Sequence, residues 1–302
     1  MPRFEGLVAA AHSPMSRDGS IALDVVPLQA RLHREQRNVG VFICGSTGEG
    51  HSLAREERVA LAEAWSDVTD EELPLLVHVG CNALPDACML AEHAEGIGVR
   101  AVACQAPCYE KPRSIDELVS FLAEVAAAAA GTPFYYYDIP SFTGVSFPIV
   151  DVLLAAAERI PNLAGVKFTS SDEAAEAECV ELLGGRFEVL HGCDERLLAG
   201  LGHGCRGAVG STYNYAAPIY RQVLDLHEIG DHAGAGIAQA KAVRLVDAII
   251  PFGVLRAGKA IMGMLGVECG PPRLPSTPLG REELAALRSA LDGLDVFPRP
   301  IQ

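Results

Sequence analysis

Short runs of strand character recur along this chain with room for one helix between neighbours, and that rhythm narrows the possible folds more than any other feature. The runs are Leu7 to Ala11, Val39 to Cys44, Leu75 to Val79, Val99 to Cys104, Pro133 to Tyr137, Leu163 to Phe168, Phe187 to His191 and Arg206 to Gly210. The segments between them carry helical periodicity and start signals. Ser114 with Glu117 and Ser170 with Glu173 are spaced as capping boxes, and Pro148 sits at a first-turn position. Strand and helix alternating eight times predict an α/β fold, a (β/α)8 TIM barrel. From about Tyr215 to Leu294 the chain is rich in Ala, Leu and charged residues with a period near 3.6, broken at Pro251 and at GPPRLP, Gly270 to Pro275. No linker precedes that stretch. The expectation is one unit, 1–302, with a barrel core over 5–212 and a C-terminal helical extension over 213–302 packed on it.

Charge and cysteine usage exclude several classes of function. A formal charge of −15 repels phosphate backbones and anionic lipid, with no basic run to offset it, so neither nucleic acid nor a membrane surface is an expected partner. No apolar run approaches the roughly 20 residues of a membrane span, and the start, MPRFEGLVAAAH, is too short in apolar length for a secretory leader. The nine cysteines have no regular spacing and lie mostly in apolar segments, which points to a reducing cytoplasm. Cys104 with Cys108 has a ligand-like spacing, but no second pair follows, and His191 with Cys193 lies on another strand. No metal site is expected.

Lys167 stands out against this background. It is one of four lysines, and it interrupts the apolar run LAGVKF, which reads as a buried parallel strand. An ammonium buried there costs several kcal/mol, whereas a desolvated amine is a nucleophile suited to forming a Schiff base with a carbonyl. A strand-end lysine that snorkels to water is the plain alternative.

In such a barrel the chemistry sits at the C-terminal strand ends, and the ends here are unusual. GSTGEG, Gly45 to Gly50, offers Ser46 and Thr47 with convergent N–H and hydroxyl donors suited to a carboxylate. In FYYYD, period-2 alternation puts Tyr135 and Tyr137 on one face and Tyr136 on the other, so Tyr137 is a candidate proton carrier. Lys167 and Thr169 share a face. Asp194 and Glu195 begin a helix, as capping residues or as paired acceptors for a polyol. GSTYN, Gly210 to Asn214, repeats the Gly-Ser-Thr style of turn.

Taken together, GSTGEG, YYYDIPSFTGV, GVKFTSSD, GCDERLL and GAVGSTYN resemble the class I pyruvate-dependent aldolase superfamily of N-acetylneuraminate lyase and dihydrodipicolinate synthase, from about Gly6 to GPPRLP. The resemblance implies a cofactor-free lyase in which Lys167 forms the Schiff base with pyruvate or a 2-oxo acid and Tyr137 shuttles protons. It also implies that Ser46 and Thr47 bind the carboxylate, and that Tyr109 in APCYEKP reaches into a neighbouring subunit of a homotetramer. The synthase branch places an arginine where this chain has Phe142. The lyase branch carries an acidic pair for the glycerol tail of sialic acid, matched by Asp194 and Glu195, with Thr169, Gly192 and Ser211 at its other sugar-contacting positions. Asp138, Phe142 and Cys193 depart from the pattern and bear on which substrate is taken. Cleavage of N-acetylneuraminate to N-acetylmannosamine and pyruvate is the expected reaction. The alternatives are another 2-oxo acid, such as a 2-keto-3-deoxy sugar acid or 4-hydroxy-2-oxoglutarate, the synthase reaction, or a catalytically silent ligand-binding barrel.

Overall fold

A computed structural model describes residues 3–182 and 185–301; residues 1, 2, 183, 184 and 302 of the expected 1–302 unit lie outside the described residues. Eight parallel strands close into a barrel in sequence order: Gly6–Ala10 (β1), Gly40–Ile43 (β2), Leu75–His78 (β3), Ala101–Gln105 (β4), Phe134–Asp138 (β5), Leu163–Phe168 (β6), Glu188–His191 (β7) and Gly207–Gly210 (β8). Pairing of β1 with β8 removes both sheet edges. Each strand lies within two residues of a run expected from sequence. A helix crosses the outside after each strand, from Val26–Glu35 after β1 to Ala217–Glu228 after β8. The span read as an extension, 213–302, therefore opens with the last barrel helix. Helices His232–Ile249, Val254–Met264 and Arg281–Leu291 follow it.

Two cores follow from strand alternation. Val8, Ala10, Phe42, Leu76, Ala101, Ala103, Tyr135, Tyr137 and Val209 fill the barrel, while Leu7, Ala9, Val41, Ile43, Val77, Val102 and Tyr136 face the helices. The small side chains of β1 and β4 leave volume for the rings. Phe42 meets Tyr137 edge-on at 5.7 Å between centroids, and Phe4 meets Tyr135 at 6.3 Å. At the N-terminal pole Tyr135 donates to Glu188 at 2.6 Å, and the Phe4 N–H donates to the other oxygen of that carboxylate at 2.7 Å.

One irregularity sets the phase of β6. Phe134 pairs with Leu163, but Tyr135 pairs with Gly165, so Ala164 is an extra residue in the ladder. A one-residue slip exchanges the two faces of a strand. Leu163 and Val166 consequently face the helices, and Ala164 and Lys167 face the barrel interior. Without the extra residue, alternation from Leu163 would turn Lys167 outward.

The expected helix starts are partly met. Ser114 caps Ile115–Ala127, accepting from the Glu117 N–H at 3.1 Å, while the Glu117 carboxylate reaches back to the Arg113 N–H at 2.7 Å. The second box is replaced by another cap. Asp172 accepts from the Ala175 N–H at 3.0 Å, because the helix begins at Glu173, two residues too late for Ser170 to reach its third N–H.

The far end of the chain is tied to the turn after β2. Glu49, in the left-handed region at φ 53°, meets Lys259 Nζ at 2.6 Å, and both side chains are buried. The Arg273 N–H donates to the other Glu49 oxygen at 2.6 Å, Lys259 donates to the Pro271 carbonyl at 2.9 Å, and the Arg273 guanidinium pairs with Glu57. Removing one partner strands the other charge in the interior. Lys259→Met is expected to lower the unfolding free energy by about 3–5 kcal/mol in denaturant titration. Adding Glu49→Gln should recover part of that loss, and an unchanged midpoint for the single variant would show that the pair ties nothing.

Candidate active site

The C-terminal strand ends enclose a cavity of about 350 Å³. Ser46 and Thr47, Tyr137, Lys167 and Thr169, Gly192, Asp194 and Glu195, and Ser211 all line it, nine of the ten residues singled out in the sequence. The extension roofs it with Val246, Ile249, Ile250, Val254 and Leu255, and Phe142 stands at the rim, largely exposed. Nothing in the chain signals that roof, because apolar helix residues that meet a cavity look like any others.

Lys167 is 5% exposed, with Nζ 3.9 Å from the centroid of the Tyr137 ring and 4.5 Å from that of Phe42. Among the described residues no carboxylate pairs with it. Aromatic faces accommodate an amine without capturing it in a salt bridge, so Nζ stays available to a carbonyl carbon. The Tyr137 hydroxyl lies 3.4 Å from Ser46 Oγ, a long contact that leaves both hydroxyls capacity for a third partner.

His78, which the sequence did not single out, packs edge-on against Tyr137 at 5.7 Å. Burial, with the nearby Arg58 cation, holds its imidazole well below the usual range, so the neutral ring donates Nδ1–H to the Cys44 carbonyl at 3.0 Å. His12 is likewise pushed down to about 3 by burial and Lys259. Histidines in apolar surroundings read from sequence as ordinary core.

The turn that bears Ser46 and Thr47 is tightly wound. Cys44 and Glu49 both take positive φ, at 57° and 53°, and a Cβ on Gly50 would collide with the Cys44 carbonyl. Ser13 donates to the Gly48 carbonyl at 2.6 Å and pins the turn from below.

The acidic pair after β7 divides its work. Asp194 and Glu195 begin a short 3-10 turn, Asp194–Arg196, that runs into helix Leu197–His203. Asp194 caps no helix. Its carboxylate accepts from the Thr212 N–H at 2.8 Å, the Thr212 hydroxyl at 2.6 Å and the Ser211 hydroxyl at 3.4 Å, which binds the β7 turn to the β8 turn. Burial raises its pKa against the lowering effect of those bonds. Glu195 is exposed and lines the cavity. Gly192 lies so close to Thr169 that a Cβ would overlap the Thr169 hydroxyl. That hydroxyl oxygen is buried with no hydrogen-bond partner among the described residues.

Tyr109 is not brought to the cavity of its own chain. Its side chain is 82% exposed, on a loop held by Asn82, which accepts from the Cys108 and Tyr109 N–H groups at 2.9 and 3.1 Å. Asp138 faces away from Tyr137, accepts from Tyr136 at 3.4 Å and is raised to about 7 by burial. Among the described residues no three His, Cys, Asp or Glu side chains converge as metal ligands, and no helix is long and apolar enough to cross a membrane.

Comparison with known proteins places this arrangement. The profile of the Dihydrodipicolinate synthetase family matches residues 3–294. The N-acetylneuraminate lyase of Mus musculus is 39% identical over 304 residues, covering 99% of this chain and 95% of that protein. The structure of Proteus mirabilis N-acetylneuraminate lyase superposes with a TM-score of 0.95 at 35% identity, covering 98% of this chain and all of the other. A Ruminococcus gnavus sialic acid aldolase, solved as a catalytic lysine mutant, superposes with a TM-score of 0.91 at 26% identity, covering 95% of this chain and 94% of its own. With a family profile spanning nearly its whole length and relatives matched end to end, the chain belongs to the dihydrodipicolinate synthetase family.

Proposed function

We propose that this protein is a class I aldolase that cleaves N-acetylneuraminate to N-acetylmannosamine and pyruvate, using Lys167 and no cofactor. The observation that carries the reading is a buried Lys167, without a carboxylate partner among the described residues, over the ring of Tyr137, whose hydroxyl meets Ser46, in a cavity that Thr169, Glu195 and Ser211 also line. The similarity to lyases along the whole chain supports the same substrate.

In this mechanism the substrate carboxylate rests on the Ser46–Thr47 turn, and Lys167 Nζ attacks the C2 ketone of the open-chain sugar. Water leaves as the iminium forms, and its positive charge compensates the carboxylate in a protein whose own field is negative. Tyr137, having passed its own proton through Ser46 to the departing water, takes the C4 hydroxyl proton. The C3–C4 bond breaks, its electrons pass to the iminium nitrogen, and N-acetylmannosamine departs as an aldehyde. The remaining enamine gains a proton at C3, and water hydrolyses the iminium to release pyruvate and the lysine. Thr169 and Glu195 hold the polyol tail. Asp194 acts through Thr212 and Ser211 and shapes that end of the cavity.

We also propose a homotetramer in which Tyr109 completes a neighbour's site. Its 82% exposure on a braced loop supports that role. All nine cysteines are free, which supports a reducing cytoplasm.

Pyruvate with borohydride should leave a reduced adduct on the Lys167 peptide by mass spectrometry, and an unmodified Lys167 would sink the mechanism. Tyr137→Phe is expected to cut kcat by about 10²–10⁴-fold with a small change in KM. Glu195→Gln should raise KM for N-acetylneuraminate about tenfold, the effect of a lost hydrogen bond to a charged group, while pyruvate trapping at Lys167 stays intact. Pyruvate release compared across N-acetylneuraminate and shorter 2-oxo acids tests the substrate. Faster turnover of a short acid would move the assignment away from sialic acid.

A further inference from the structure

His191 ends β7 and points out of the barrel into the wedge between helices Glu173–Leu182 and Leu197–His203. Its ring lies against Gly200, where a Cβ would overlap Cγ and Nδ1. Nδ1 is 2.6 Å from one oxygen of the buried Glu176 carboxylate, and Nε2 is 2.8 Å from the Cys193 carbonyl. The other Glu176 oxygen lies 2.9 Å from His203 Nδ1. A carboxylate and a carbonyl only accept, whereas a neutral imidazole has a single N–H. Both contacts are met together when the ring carries two protons.

We propose that His191 is an imidazolium held by Glu176, and that its Nε2–H fixes the Cys193 carbonyl and so positions the Gly192–Glu195 turn for the long sugar. The titratable groups acting on it are Glu176 and Asp194; His203, Cys179 and Cys205 act on Glu176 in turn, Arg196 meets the Cys193 thiol at 3.0 Å, and Asp138 of β5 acts on Cys179. Burial would strip the proton from His191, but the Glu176 carboxylate, together with the Cys193 carbonyl and Asp194, outweighs burial and holds the imidazole above its usual range. Burial opposes ionisation of Glu176 in the same way, and His191 and His203 outweigh it and bring its pKa below the usual carboxylate range.

The raised histidine keeps its hold below its ordinary value of about 6.5 and loses it as pH climbs through the raised value. The lowered glutamate keeps its part above about 4.3 and loses it as pH falls through the lowered value. The turn is therefore gripped most firmly in mildly acidic solution and released on the alkaline side.

The kinetic half of the test rests on the proposed reaction, and the spectroscopic half does not. In protein carrying ¹⁵N-histidine, His191, assigned by its loss in His191→Gln, should show two protonated ring nitrogens at pH 6.5. A neutral Nε2–H tautomer beside a protonated Glu176 would overturn the proposal. KM for N-acetylneuraminate should rise about tenfold across the alkaline transition, with pyruvate adduct formation at Lys167 lacking that transition. His191→Gln keeps a donor for Cys193 but cannot titrate, so its KM profile should be flat, and His191→Phe should have a raised KM throughout. Superimposable profiles for wild type and His191→Gln would overturn the positioning role. An imidazolium in a protein with no activity on N-acetylneuraminate would leave His191 as described and refute the substrate instead.

Discussion

The site depends first on the phase of β6. Strand alternation allows one face to reach the barrel interior, and the extra residue at Ala164 decides that Lys167 and Thr169 occupy it. Everything the cavity offers to a carbonyl compound is arranged around the amine that this shift turns inward. Phe42 and Tyr137 provide ring faces beside Nζ, and the alanines of β1 and β4 make room for those rings.

Around that amine the loops are held by buried polar ties, each joining a segment that bears a site residue to a distant part of the chain. Glu49 and Lys259 lock the Ser46–Thr47 turn to the C-terminal extension, and the same extension roofs the cavity. Asp194 and Thr212 lock the β7 turn to the β8 turn, and Asn214 donates to the Ala10 carbonyl at 2.6 Å to bind the β8 turn to β1. A buried polar group left unpaired costs about 1–3 kcal/mol, so such ties are strongly specific about where the loops lie. Rigid placement matters here because proximity and orientation provide much of what a small catalytic set can contribute. The acidic pair illustrates the economy: Asp194 fixes the scaffold, and Glu195 beside it stays free toward the cavity.

Much of this was legible in the chain. The eight runs marked the strands because a parallel barrel buries both faces of its sheet and leaves local apolar runs that length and spacing identify. The strand-end motifs marked the site because lysine in an apolar run, hydroxyls between glycines and adjacent carboxylates are costly where nothing uses them. Other features were silent. His78, His191, Glu176 and Lys259 look like scattered polar residues until folding brings partners from 15 to more than 200 positions away. The cap at Asp172 rather than Ser170 turned on where the helix begins, a choice that local spacing leaves open by two residues.

The sequence alone determined the barrel, the order of its strands and the residue types at each strand end, because hydrophobic periodicity and backbone hydrogen bonding are local constraints. Tertiary structure alone decided which way Lys167 faces, which member of the Asp194–Glu195 pair is free, and that Tyr109 stands outside its own chain's cavity. Those outcomes depend on ladder register, on competition for buried donors and on loop paths, and each is fixed by contacts between segments far apart in the chain.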